Sequence, residues 1–134
     1  MSTVRPTART VWDAVYDRIG DDLRAVIRYQ PRDWESVMRD DVRERYAQRD
    51  TQAIVDQTIV GQLSYGRQES AFESGSLNAL VQVFEDAWIV SCPDSTGRKS
   101  GVLISIERDG EAATMADVQW CIDLLEQGVD RLVA

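Results

Sequence analysis

The stretch LNALVQVFEDAWIVSCPDSTGRKSGVLISIERDG, residues 77–110, decides the fold. Three segments within it, LNALVQVFED, AWIVSCPD and SGVLISIERDG, are rich in Val, Ile and aromatics, the residues that suit a pleated, packed surface. Glu85–Asp86 makes a tight turn between the first two, and PDSTGRKS makes a longer hairpin loop before the third. Each segment therefore predicts a strand with apolar residues on both faces. Such a sheet is covered by helices on one side and by a partner or another layer on the other.

Working outward, LRAVIRY at residues 23–29 alternates. Leu23, Ala25, Ile27 and Tyr29 share one side; Arg24, Val26 and Arg28 share a side expected to face solvent. QPRD breaks this strand, and WESVMR alternates again, so the two pair as a hairpin. Val11, Trp12, Val15, Tyr16 and Ile19 fall on one helical face, with Gly20 as the C-terminal cap. Residues 40–63 predict one helix with a break near Asp50, opened by a capping-box pattern at Asp41 and Glu44. Residues 64–76 read as a loop holding a short turn at Phe72. The chain closes in a helix with Thr114 as N-cap and Met115, Val118, Ile122, Leu125, Val129 and Leu132 along one stripe. The predicted order is α-β-β-α-β-β-β-α, an α+β domain with a five-stranded antiparallel sheet. Residues 1–7 form a polar tail, and residues 8–134 form one domain.

Charge bounds the function. The chain of 134 residues carries 23 acidic and 15 basic residues, a net charge of −8. That field repels nucleic acid and anionic membrane. No apolar run is long enough to span a bilayer. MSTVRPTART lacks the apolar core of a signal peptide, so a cytoplasmic location is expected. Lys99 is the only lysine against fourteen arginines.

Several chemistries drop out. The chain contains no His, which removes imidazole acid/base catalysis, Ser-His-Asp and Cys-His nucleophiles, and imidazole metal sites. Cys92 and Cys121 have no metal-binding spacing and read as buried free thiols. GRKSG at 97–101 lacks the spacing of a phosphate loop and runs into a strand rather than a helix, so it reads as a solvated hairpin loop. Its Arg98 and Lys99 form a cationic spot able to dock an acidic partner. The pairs Asp21–Asp22 and Asp40–Asp41 lie at element boundaries, where turns and caps use Asp. ERDG at 107–110 lacks the ordered oxygen ligands of a calcium loop. No catalytic residue, cofactor site or metal site is expected.

Trp120 and Leu124 stand off the stripe of the last helix, one turn apart. They are the expected interface residues, because Trp is enriched among binding anchors. A second expectation is a ligand pocket between sheet and helices, lined by Trp34, Met38, Trp88 and Cys92.

The element order is similar to that of the roadblock/LC7 fold and the wider profilin-like group. LRAVIRYQPRDWESVMRDDVRERY and LNALVQVFEDAWIV, with their RDDV and FEDA, resemble a family of short uncharacterised haloarchaeal proteins. The Asp-rich, Arg-for-Lys balance fits that source, because molar salt shortens the Debye length to about 3 Å and suppresses self-repulsion. The roadblock resemblance implies a homodimer that serves as a platform or regulator for a small GTPase or other protein partner. The expected function is a non-enzymatic interaction module; the alternative is a small-ligand sensor.

Overall fold

The computed structural model describes residues 7–46, 48–94, 99–110 and 112–127. Arg98, Val129, Leu132 and nearly all of the predicted tail lie outside them. The elements are α1 (Ala8–Ile19), β1 (Leu23–Gln30), β2 (Asp33–Met38), α2 (Asp40–Arg45), α3 (Gln48–Gln62), α4 (Tyr65–Phe72), β3 (Leu80–Val83), β4 (Ala87–Pro93), β5 (Gly101–Glu107) and α5 (Met115–Glu126). The five strands form one antiparallel sheet in the order β2-β1-β5-β4-β3. The predicted α+β class and element order hold.

Two local signals act as read. Gly20 ends α1 at φ 60° and donates its N–H to the Tyr16 carbonyl. At α5 the Asp117 carboxylate accepts the Thr114 N–H at 2.8 Å, fastening the first turn.

The second helical region differs from expectation. Residues 40–63 hold two helices, α2 and α3, and the break falls at Tyr46, whose backbone is extended (φ −117°, ψ 117°), while Asp50 lies inside α3. The expected short turn around Phe72 is the helix α4. No capping box forms at Asp41. Arg39 is the N-cap residue and its guanidinium grips Asp41 at 2.5 and 2.9 Å. An Arg fork matches a carboxylate in two parallel hydrogen bonds, and that geometry displaces the cap.

Both sheet faces are covered by the chain's own helices. On one face Val11, Val15 and Ile19 of α1 and Val118 and Cys121 of α5 pack against Val26, Val90, Ile104 and Ile106. On the other, Val55 of α3 packs with Ile27, Tyr29 and Leu103. Fully burying each such aliphatic side chain contributes about 1.5–3 kcal/mol relative to exposure. The second layer expected from the two-faced strands is thus α3.

β1 corrects the expected solvated face. Its register slips between Leu23 and Ala25, and the bulge puts Leu23 and Val26 on the same face. The strand is central, so Val26 and Arg28 are both buried. Arg28 pairs with Asp94 at 2.8 Å and donates to the Gly101 carbonyl at 2.8 Å. Asp94 also accepts the Ser100 hydroxyl at 2.6 Å. Above Gly101, the Tyr29 hydroxyl donates to Gln62 of α3. A Cβ on Gly101 would lie 2.4 Å from the Cys92 carbonyl oxygen and 2.7 Å from the Tyr29 hydroxyl. Only Gly allows that crossing. Buried polar groups paired this way fix α3 and the β4–β5 hairpin to one register.

Candidate functional site

The structure places the expected interface residues on α5 in a packed setting. Trp120 and Leu124 are both half-buried against the α1/α5 core. The Arg18 guanidinium of α1 lies 4.8 Å from the Trp120 ring centre. Arg18 is held there by Asp117 at 2.7 Å. Burial opposes the ionised Asp117, but its bonds with Arg18 and Thr114 prevail and lower its pKa. Trp120 is therefore the floor of an α1–α5 clamp, not an open patch. Lys99 is exposed in the turn before β5.

The residues of the expected ligand pocket do not converge. Trp34 and Met38 pack on the α3 side of the sheet, and Trp88 and Cys92 on the α1/α5 side. The alternation that gives each strand two faces separates them. Cys92 and Cys121 are buried free thiols, and burial pushes each up to about 12. They stay protonated and inert at neutral pH.

The described residues also line an open cleft of ≈ 480 Å³ at the end of the sheet, where β1 begins and β5 ends. Glu107 holds Arg24 and Arg39 there, each at 3.2 Å. The Arg39 hydrogen bonds lower the Asp41 carboxyl to about 2. Asp22, on the same rim, accepts the Ala112 and Ala113 N–H groups, both at 2.8 Å. Gly110 passes so close that a Cβ would meet the Asp22 carboxylate at 2.2 Å. These contacts tie three chain segments together, and acidic residues outnumber arginines around the cleft. Asp41 and Asp117 are both pushed down, the direction of ion pairing; a general acid at neutral pH needs its carboxyl pushed up. Among the described residues no His, Cys, Asp or Glu group of three could hold a metal ion.

Open apolar surface lies elsewhere. Large exposed hydrophobics among the described residues number eight, and five of them, Val60, Leu63, Phe72, Val83 and Phe84, fall within residues 60–84. Val60 lies on α3 and Leu63 just past its end; Phe72 ends α4; Val83 ends β3, which pairs only with β4, and Phe84 follows it. No helical-wheel argument on α5 could find this surface. The signal that could have is the uncharged run from Leu77 to Phe84, once β3 is known to be an edge.

The sequence profile of a domain of unknown function, DUF7522, matches residues 9–126, and the chain belongs to that family. No curated protein matches it. Among the described residues no helix is long and apolar enough to cross a membrane.

Proposed function

We propose that the chain is a non-enzymatic interaction module that works by self-association and by binding protein partners. The observation that carries this reading is the concentration of exposed large hydrophobics between Val60 and Phe84 in a chain of net charge −8. Where such side chains form a patch, they mark a contact site. The element order supports a roadblock-like likeness, and with it a homodimer and a small GTPase as a partner class. The acidic, arginine-rich composition supports a salt-adapted archaeal source and a cytoplasmic setting. On this reading the half-buried Trp120 and Leu124 contribute to an interface on α5, beside contacts made through residues 60–84. Lys99, with Arg98 beside it, is a secondary docking point for an acidic partner.

Sedimentation equilibrium from micromolar to submillimolar protein, at physiological and at molar salt, tests the self-association. A mass twice the 15.1 kDa of the chain is expected. A monomer throughout would sink it. Replacing Leu63 and Phe72 together by Glu should weaken partner binding while leaving the circular dichroism spectrum unchanged.

A further inference from the structure

α4 is held to the body far more lightly than α1. Of its eight residues Tyr65 alone is buried, and Phe72 at its far end is 75% exposed. α1, by contrast, buries Ala8, Val11, Val15 and Ile19. A helix this short is unstable in water without such packing. Its own ends add little. The N-cap residue Ser64 has helical backbone angles and makes no side-chain cap; its hydroxyl donates instead to the Gly61 carbonyl at 2.7 Å. The first turn holds no acid and the last turn no base, so no charge complements the helix dipole. Beyond the last turn Glu73 stands in the left-handed region (φ 50°, ψ 38°), which penalises any residue with a Cβ. No other non-glycine among the described residues has a positive φ.

Two contacts hold this helix in place. Tyr65 is sunk into the body at 5% exposure. Four residues on, the Glu69 carboxylate accepts the Leu77 N–H at 2.7 Å and ties the helix to the segment that enters β3. A glycine lies at each end of the lightly held part. Gly66 follows the Tyr65 anchor inside the helix, where glycine weakens the helical bonds. Gly75 has φ 89°, a conformation that glycine adopts without strain.

We infer that residues 66–75 form a flap, hinged at Gly66 and Gly75 and latched by Glu69 on Leu77, that opens as one unit while the sheet and the other helices stay folded. Segments with little buried apolar surface open at the low end of a protein's stability range, and helical bonds break together. Opening carries Phe72 away from the body. The apolar surface of residues 60–84 then has a fixed part, at Val60, Leu63 and Val83, and an adjustable part that bears Phe72. The flap is a property of the free chain and stands whether or not that surface binds a partner.

Native-state hydrogen exchange on the full chain, with and without low urea, reads the opening. The amides of Gln68 and Glu73, bonded to the Ser64 and Glu69 carbonyls, and those between them should exchange together. They should exchange at least about a hundredfold faster than the amide of the fully buried Ile104 in β5. Their rates should hardly change with urea, because a local opening exposes little surface, whereas the Ile104 rate should climb steeply. Glu69→Ala should speed flap exchange about tenfold through the lost charge-assisted bond. Glu73→Gly should slow it about fivefold by relieving the left-handed position. Flap amides that follow the urea dependence of Ile104 open only with the whole molecule and overturn the flap. Exchange at the rate of an unstructured peptide also overturns it, because the helix is then not closed. Rates unchanged in Glu69→Ala overturn the latch. If Glu69→Ala fails to fold, Glu73→Gly and the urea dependence of the wild type decide.

Discussion

The two edge strands face the same problem, a row of backbone N–H and C=O groups with no neighbouring strand. On β2 the row is guarded. Pro31 and Arg32 form the turn before it, Asp33 and Glu35 stand within it, and Arg39 follows it. Glu35 also accepts the Ala8 N–H at 2.5 Å, so a charge that deters pairing also fastens the start of α1. On β3 charges stand only beyond the strand, at Glu85 and Asp86 of the following turn. From Leu77 to Phe84 there is no charged residue, and Val83 at the strand's end and Phe84 after it are both exposed. A chain that is 28% charged has placed its guards on one edge and withheld them from the other. That difference leaves the β3 edge unguarded within the strand and the β2 edge guarded.

The comparison can be broken most strongly at Gln82. Its backbone N–H serves the β4 ladder, so Gln82→Pro should destabilise the fold by about 3 kcal/mol or more in urea unfolding. Val83→Pro, one residue on, should cost under about 1 kcal/mol. Equal losses would mean that the alternation along β3 is misassigned. The centre that both edges share gives the next effect. Gly101→Ala should cost about 2 kcal/mol through the clash with the Cys92 carbonyl and the Tyr29 hydroxyl, read as a lower urea midpoint at unchanged slope. No change would mean that Tyr29 does not cross the strand there.

Removing the guard from β2 sharpens the comparison further. Glu35→Val should cost about 1 kcal/mol through the lost bond to Ala8, and light scattering should show species larger than a dimer once a second edge is open. If only dimers persist, charge is not what closes β2. The smallest effect lies at Asp41 beside that edge. Its pKa falls from 3.8 to about 2 on folding, because Arg39 bonds the ionised form. A depressed carboxyl adds stability that is complete above pH 3.8 and is lost as pH falls through about 2. In Asp41→Asn the fall in Tm on acidification should be shallower over that window. An identical acid limb would remove Arg39–Asp41 as a contributor.

Much of the fold was legible because its signals are local. Gly20 and Thr114 announce helix ends from their own neighbours, and the β1–β2 and β3–β4 turns follow from runs of alternation. What was not legible depends on residues far apart. Arg28 reads as solvated until Asp94, 66 residues on, supplies its counter-charge. The bulge at Arg24 reverses the predicted parity of β1, and nothing within LRAVIRY signals it. Trp120 reads as exposed because a helical wheel omits Arg18, which arrives from α1. The two edges were hidden for the same reason. Which strand lies outermost follows from the pairing of β1 with β5, and periodicity carries no such information.

That β1–β5 pairing also sets a timetable for synthesis. Tyr29 pairs with Gly101, and Leu23 with Ile106. During translation the first hairpin has left the ribosome long before its central neighbour exists. At about 5–20 residues per second the interval between Gln30 and Ile106 is roughly 4–15 s. Over that interval β1 is itself an edge, with Val26, Ile27 and Tyr29 uncovered by β5. The nascent chain is therefore most exposed to misassembly along the strand that ends as its most protected, and a chaperone that holds short apolar strands would act on it there.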